Sequence, residues 1–215
     1  MRKIKTSLFL LPFVLFCLEI KAIPTEVFVR NQNIFAVLAD GSEKQLTTDG
    51  SDSHPIIIPG RDHVVFVRDE VVRTTKGSYT RKKIMMVDVS NLNLRVITDE
   101  KPYADGLDNT YEILNVISPT LSPDNRYLYF ITEKYATSNQ LVKVHLQSGE
   151  WTELFAAETF ELIRNGEHTG RFLISRSEIG DRGRDLYFRL VDERGNTMKR
   201  FESEESLMHF RREIQ

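Results

Sequence analysis

Cysteine is almost absent from this 215-residue chain: the single one, Cys17, lies within its first 22 residues. Everything downstream therefore has no disulfide framework, no thiol nucleophile and no Cys-built metal site. An excess of basic charge is missing too, since 29 Lys and Arg face 31 Asp and Glu. That balance argues against a nucleic-acid binder, which needs a basic surface for the phosphate backbone. No H-E-x-x-H, no G-x-S-x-G and no phosphate-cradling glycine loop occurs, so the familiar local signatures of catalysis are lacking. Triads can assemble from distant residues, and an enzyme stays open on that ground alone.

The N-terminus has the three parts of an export signal. Arg2, Lys3 and Lys5 are followed by an apolar stretch at 8–18 and by Ile20-Lys21-Ala22, which ends in a small residue. The apolar stretch is shorter than the roughly 20 residues a membrane helix needs. A retained anchor is the weaker reading, and lipidation at Cys17 is disfavoured by the bulky Phe16 before it. Cleavage near Ala22 leaves 193 residues with 25 basic and 30 acidic side chains, a net charge of −5. The expected location is the periplasm or the exterior, and the remaining domain, 23–215, is long enough for a core without staples.

Strand signals dominate that domain. EVFVR (26–30) and NIFAVLA (33–39) read as a hairpin around Asn31-Gln32, followed by an Asp40-Gly41 turn and KQLT at 44–47. HPIIIPGRDHVVFVRD (54–69) gives an inner strand, a Pro59-Gly60 turn and a second strand. The polar run 73–83 reads as an exposed loop, with outer strands at 84–89 and 94–98. ISPTLSPDNRYLYFITEKYATSNQLVKVHLQSGEWTELF (117–155) repeats the same grammar, and 160–201 repeats it without the Pro-bearing turn. Outer turns near Gly41, Asn91, Gly149 and Gly195 are spaced by 50, 58 and 46 residues, periods that fit propeller blades and not the shorter solenoid repeats.

The expected fold is all-β: a small β-propeller of about four blades, the first lacking its innermost strand. In the tail, Met208, Phe210 and Ile214 alternate as one strand face, whereas Leu207, Phe210, Arg211 and Ile214 fit a helical stripe. The strand reading is preferred, because a C-terminal strand placed in blade 1 would close the ring and remove an exposed edge.

SPDNRYLYF at 122–130 and ADGSEKQLT at 39–47 resemble the propeller part of the TolB family and its WD-like relatives. The resemblance implies blade-forming turns. It does not extend to that family's additional N-terminal domain or to six blades, so no docking role at the envelope and no binding residue is carried over.

The Ser122-Pro123-Asp124-Asn125 turn reads as geometry: Pro fixes φ, and Asp and Asn bond their own backbone. The acidic loop DEKPYADGLDNTYE (99–112) is the best candidate for a special site, with Tyr103, Asp105, Asp108 and Tyr111 as partner-contacting residues. Asp99, Asp105, Asp108, Asn109 and Glu112 could offer oxygen ligands, but their spacing is not that of a calcium loop, and no metal or cofactor is expected. His54, His63, His145, His168 and His209 are scattered through unrelated settings, while Trp151, Tyr127, Tyr129 and Phe130 read as inter-blade core. The leading functional reading is an exported, non-enzymatic propeller that binds a protein or peptide in the cell envelope, a monomer more readily than a dimer. An inhibitor or immunity protein against an envelope-acting enzyme, and a hydrolase or lyase working at the channel mouth, are the alternatives.

Overall fold

Val64-Val65-Phe66-Val67 is apolar without interruption, whereas a strand with one wet face would alternate. The computed structural model, which describes residues 22–75, 77–98, 101–102, 110–111, 113–134, 138–180 and 183–214, explains why. Val64 and Phe66 point one way, to Ile34, Ala36 and Leu46, and Val65 and Val67 point the other, to Ile84, Leu128, Phe130 and Trp151. Both faces are buried because sheets stack on both sides.

Four antiparallel sheets follow one another along the chain, each with strands in sequence order. Blade 1 has three strands, β1 (Pro24–Arg30), β2 (Asn33–Leu38) and β3 (Glu43–Gln45). Blade 2 comprises β4 (Asp52–Ile57), β5 (His63–Thr74), β6 (Gly77–Asp88) and β7 (Leu94–Val96). A two-stranded pair, β8 (Lys101–Pro102) with β9 (Thr110–Tyr111), precedes blade 3, which is β10 (Ile117–Leu121), β11 (Tyr127–Lys134), β12 (Ser138–His145) and β13 (Trp151–Ala156). Blade 4 contains β14 (Thr159–Leu162), β15 (Phe172–Gly180), β16 (Gly183–Val191) and β17 (Thr197–Phe201), and helix α1 (Glu204–Glu213) follows it. The all-β propeller architecture and its four sheets agree with the sequence reading, and among the described residues blade 1 has three strands. No helix among the described residues is long and apolar enough to cross a membrane.

Strand alternation carries the core from blade to blade. Leu128 and Phe130 face blade 2, while Tyr129 and Ile131 face Phe172 and Ile174 of blade 4. Each such fully buried side chain contributes ~1.5–3 kcal/mol. The inner strands β4 and β10 share a kink: His54 and Ser118 have φ of 51° and 53°, each just before a proline, and the pairing register shifts there. Pro55 and Pro119 are tolerated because they sit at these bulges, where a ladder donor is dispensable.

Polar grips reinforce each seam near the outer turns. Lys44 Nζ of blade 1 donates to the carbonyls of Val89 (2.7 Å) and Ser90 (3.1 Å) in blade 2. Arg95 of blade 2 donates to Leu146 O (2.7 Å) and Gln147 O (2.8 Å) in blade 3. Between blades 3 and 4, Tyr129 Oη donates to Glu193 Oε1 at 2.8 Å, and Lys143 Nζ reaches the same oxygen at 2.5 Å. Burial, followed by the Glu193 carboxylate, raises the Tyr129 pKa. Gly149 is required twice over: its φ is +77°, and a Cβ there would lie 2.2 Å from the Ile97 carbonyl oxygen across the seam.

Within blade 2, Asp52 is fully buried and forms a two-pronged pair with Arg68, Oδ1 to Nε at 2.7 Å and Oδ2 to Nη2 at 2.9 Å. Removing one partner of such a pair strands a buried charge at a cost of ~3–5 kcal/mol.

Two expectations are corrected. The C-terminal segment does not form a closing strand for blade 1; it is helical. Ser203 caps the helix, its hydroxyl accepting from Ser206 N at 3.2 Å, and Glu204, Glu205, Arg211 and Arg212 suit the helix dipole. Leu207 and Phe210, three residues apart, fall on one helical face and pack against Ile163, Leu173, Leu190 and Phe201, on the side of blade 4 away from blade 3. Among the described residues no strand pairing links blade 1 to blade 4, so this arrangement leaves the ring open in its hydrogen bonding. The polar run 73–83 is likewise not a loop: β5 and β6 pair continuously to Thr74 and Gly77. Asp69 faces Lys82 and Glu70 faces Arg81 across the hairpin, opposite charges at directly paired positions.

The helix predicts its own test. Phe210→Ala should cost ~3–5 kcal/mol in chemical denaturation, as for other buried Phe truncations, because it uncovers the last sheet. A change below ~1 kcal/mol would mean that α1 is dispensable.

Candidate functional site

In a four-stranded meander the first and third turns emerge on one side, and the second turn and the link to the next blade emerge on the other. The two sides of this array differ in kind.

On the first side the turns are fastened to themselves, the longest being the segment 163–171 between β14 and β15. Ser122 Oγ donates to Asp124 Oδ1 at 2.6 Å and accepts from Tyr127 N at 3.0 Å, while Arg126 Nε donates to Asp124 Oδ2 at 2.6 Å. The Ser122 hydroxyl holds the Asp124 carboxyl down to about 2, with burial opposing it and Arg126 adding to it. Asp40 accepts from Ser42 N (2.9 Å), and Asp192 accepts from Arg194 N (2.9 Å) and Asn196 N (2.8 Å) in the same way. The geometric reading of 122–125 stands.

Asp62, His63 and Asp88 lie on this side as well, with one donor atom each within 4.8 Å of the others, and His63 Nδ1 is 3.0 Å from Asp62 Oδ1. Their carboxylates are already engaged. Asp88 accepts from Ser90 N (2.8 Å), Asn91 N (3.1 Å) and Asn91 Nδ2 (3.2 Å), and Asp62 accepts from Ser90 Oγ at 3.3 Å. Asp88 does for blade 2 what Asp40 and Asp192 do for blades 1 and 4, so the group is turn scaffolding. The remaining histidines have local partners too: His54 meets Ser53, His145 meets Ser148, His168 packs on Phe210, and His209 reaches Glu213.

The second side is where the chain spends residues beyond the blade. β5 and β6 run 12 residues each, against 6 and 3 for β4 and β7, and β15 and β16 run 9 each, against 4 and 5 for their neighbours. The middle hairpin of blade 2 is braced by ion pairs: Lys82 Nζ to Asp69 Oδ1 at 2.6 Å, Arg81 Nε to Glu70 Oε2 at 2.5 Å and Lys83 Nζ to Glu70 Oε2 at 2.9 Å. Arg81, then Lys83, lowers the Glu70 pKa. Val71 and Tyr79 on this hairpin and Leu186 on that of blade 4 are exposed, Val71 at 62%.

The acidic loop 99–112 joins blade 2 to blade 3 and so leaves from this same side. Its ends are tied down: Lys101 pairs with Tyr111 and Pro102 with Thr110, Lys82 N donates to Ile113 O at 2.6 Å, and Ile113 and Val116 are buried. Of the four residues expected to contact a partner, Tyr111 stands at the base of the loop in β9, and Tyr103, Asp105 and Asp108 lie outside the described residues, as do Asp99, Asn109 and Glu112. Sequence reasoning passed over Val71 and Tyr79. The available signal was the mirror arrangement of Asp69-Glu70 and Arg81-Lys82-Lys83 about the turn between Thr74 and Gly77.

No family model matches the chain, and no curated protein matches it. Solved structures do. Dipeptidyl peptidase 4 of Porphyromonas gingivalis is 16% identical with a TM-score of 0.54, and the match covers 82% of this chain and 31% of that one. A puromycin hydrolase S511A mutant complexed with PGG is 16% identical with a TM-score of 0.53, covering 80% of this chain and 28% of that one. TolB from Acinetobacter baumannii is 16% identical with a TM-score of 0.49, covering 83% and 41%. At these identities the likeness concerns the fold alone, and the chain spans well under half the length of each.

The stapled turn gives a pH test. Asp124 is depressed in the folded state, so its contribution is complete above the ordinary value of 3.8 and is lost as pH falls toward about 2. Wild type should exceed Asp124→Asn in melting temperature by a constant margin at pH 5–7, and the two curves should converge below pH ~3. A margin that persists at pH ~2 would assign the effect to packing and not to the carboxylate.

Proposed function

We propose that this protein is an exported, non-enzymatic propeller scaffold that grips a protein or peptide partner of the cell envelope through its hairpin side. The observation carrying this reading is the asymmetry between the two sides. One consists of turns whose aspartates are engaged internally, and the other raises a braced hairpin with exposed Val71 and Tyr79 beside the loop 99–112, whose ends are anchored. Rigid elements bearing a few exposed apolar residues among charges suit partner recognition, since little order is lost on binding. Loop residues Tyr103, Asp105, Asp108 and Tyr111 belong to the proposed contact surface. Positively charged residues followed by an apolar stretch at the N-terminus support delivery to the periplasm or exterior after cleavage near Ala22, leaving 23–215 as the propeller domain. The relation we infer is to the propeller part of the TolB family, with none of its binding residues transferred.

Affinity capture of the tagged protein from periplasmic extract, compared with a Val71→Asp, Tyr79→Asp double variant, tests the reading. The expected result is a specific partner whose affinity falls at least about tenfold in the variant, as for truncated interface anchors. A partner held equally by both proteins would move the site elsewhere. Turnover of a hydrolase or lyase substrate by the purified chain would overturn the non-enzymatic assignment.

A further inference from the structure

Blades 1 and 2 share a hydrogen-bond motif that fixes their correspondence. Ile34 N donates to Thr47 Oγ1 at 2.9 Å and Ile34 O accepts from Leu46 N at 2.8 Å. In blade 2, Ile84 N donates to Thr98 Oγ1 at 3.0 Å and Ile84 O accepts from Ile97 N at 2.8 Å. Ile34 therefore corresponds to Ile84. Their partners across the hairpin, Val29 and Val67, correspond as well.

The two valines meet different fates. Val67 is 2% exposed, and β4 runs along the far edge of its strand, pairing Ser53 with Val67 and Ile56 with Val65. Val29 is 43% exposed, and among the described residues no strand pairs with that edge of β1. Both backbone groups of Ile34 turn toward β3, so Val29 and Ile34 form a non-hydrogen-bonded pair, and the N–H and C=O of Val29 point outward. Val27, two residues earlier and opposite Ala36, is oriented in the same way. The edge thus offers two pairs of backbone donors and acceptors where the other blades carry an inner strand.

We propose that this edge is a strand-addition site that receives an extended segment of a partner protein as the missing inner strand of blade 1. The inner strands of the other blades set the length: β4, β10 and β14 have 6, 5 and 4 residues. Chemistry sets the pattern. Side chains turned toward blade 2 meet Val27 and Val29 on the margin of a core that includes Leu38, and call for apolar residues. Those turned away pass Arg30, already held by Glu43 at 3.0 Å, and Glu26, which is exposed and makes no ion pair among the described residues. A basic side chain opposite Glu26 completes the pattern. A second copy does not fit, because a two-fold axis pairing β1 with itself puts both copies of blade 2 on the same side of the joined sheet, where they collide. This surface is separate from the hairpin side; the inference rests on the cleavage near Ala22, because the residues before it lead directly into β1, and N-terminal sequencing of the purified protein checks that premise on its own.

A displayed library of random eight-residue peptides, selected on the purified protein and counter-screened on Val29→Pro, tests the site. Proline there deletes an outward N–H and leaves the β1–β2 bonds intact. The expected result is enrichment of alternating apolar peptides with a basic residue, bound about tenfold or more weakly by the variant, with slowed amide exchange at Val27 and Val29 when peptide is added. If Val29→Pro melts early, the exchange measurement on wild type decides alone. Failure to enrich such peptides, equal binding by a folded variant, protection confined to other amides, or dimerisation through β1 would each overturn the proposal.

Discussion

A strand that is apolar on both faces can be satisfied only between two other layers, and the middle strands of this protein are built that way. Val64 to Val67 and Leu128 to Ile131 each send alternate side chains into two different cores. A single sheet of this composition would expose a full apolar face. Stacking is therefore forced by the strands themselves, and each blade is a run of strands consecutive in sequence.

What stacking leaves undetermined is the relative placement of neighbouring sheets, since apolar faces slide easily over one another. Directional contacts near the outer rim remove that freedom. Lys44, Arg95 and the Tyr129–Lys143–Glu193 group each fasten one blade to the outer turn of the next. Gly149 allows that turn to close on the Ile97 carbonyl. The staples within the turns, of which Asp124 is the strongest case, keep these rims from yielding. The cost is chemical: polar groups so engaged have little capacity left for a ligand.

Much of this architecture was legible in the sequence, because alternation and turn residues act locally. Pro55 and Pro119, and Gly41 and Gly149, could be placed from spacing alone. The tail could not, since Phe210 and Ile214 satisfy both a strand face and a helical stripe, and the decision fell to the Ser203 cap and to an apolar sheet waiting to be covered. The 73–83 segment misled for a related reason. Its charges look like solvated loop until Asp69 and Glu70 are set opposite Lys82 and Arg81, which only the folded register does. The candidate loop was found by composition, and its siting beside the braced hairpin comes from the anchoring of Ile113.

Helix α1 covers the last sheet with Leu207 and Phe210, where another blade would otherwise stack. The array is consequently directional. Duplication of a repeat inside the gene, upstream of the helix, would lengthen the stack without disturbing its terminus, whereas a repeat appended after the helix would meet a charged surface and have nothing to adhere to.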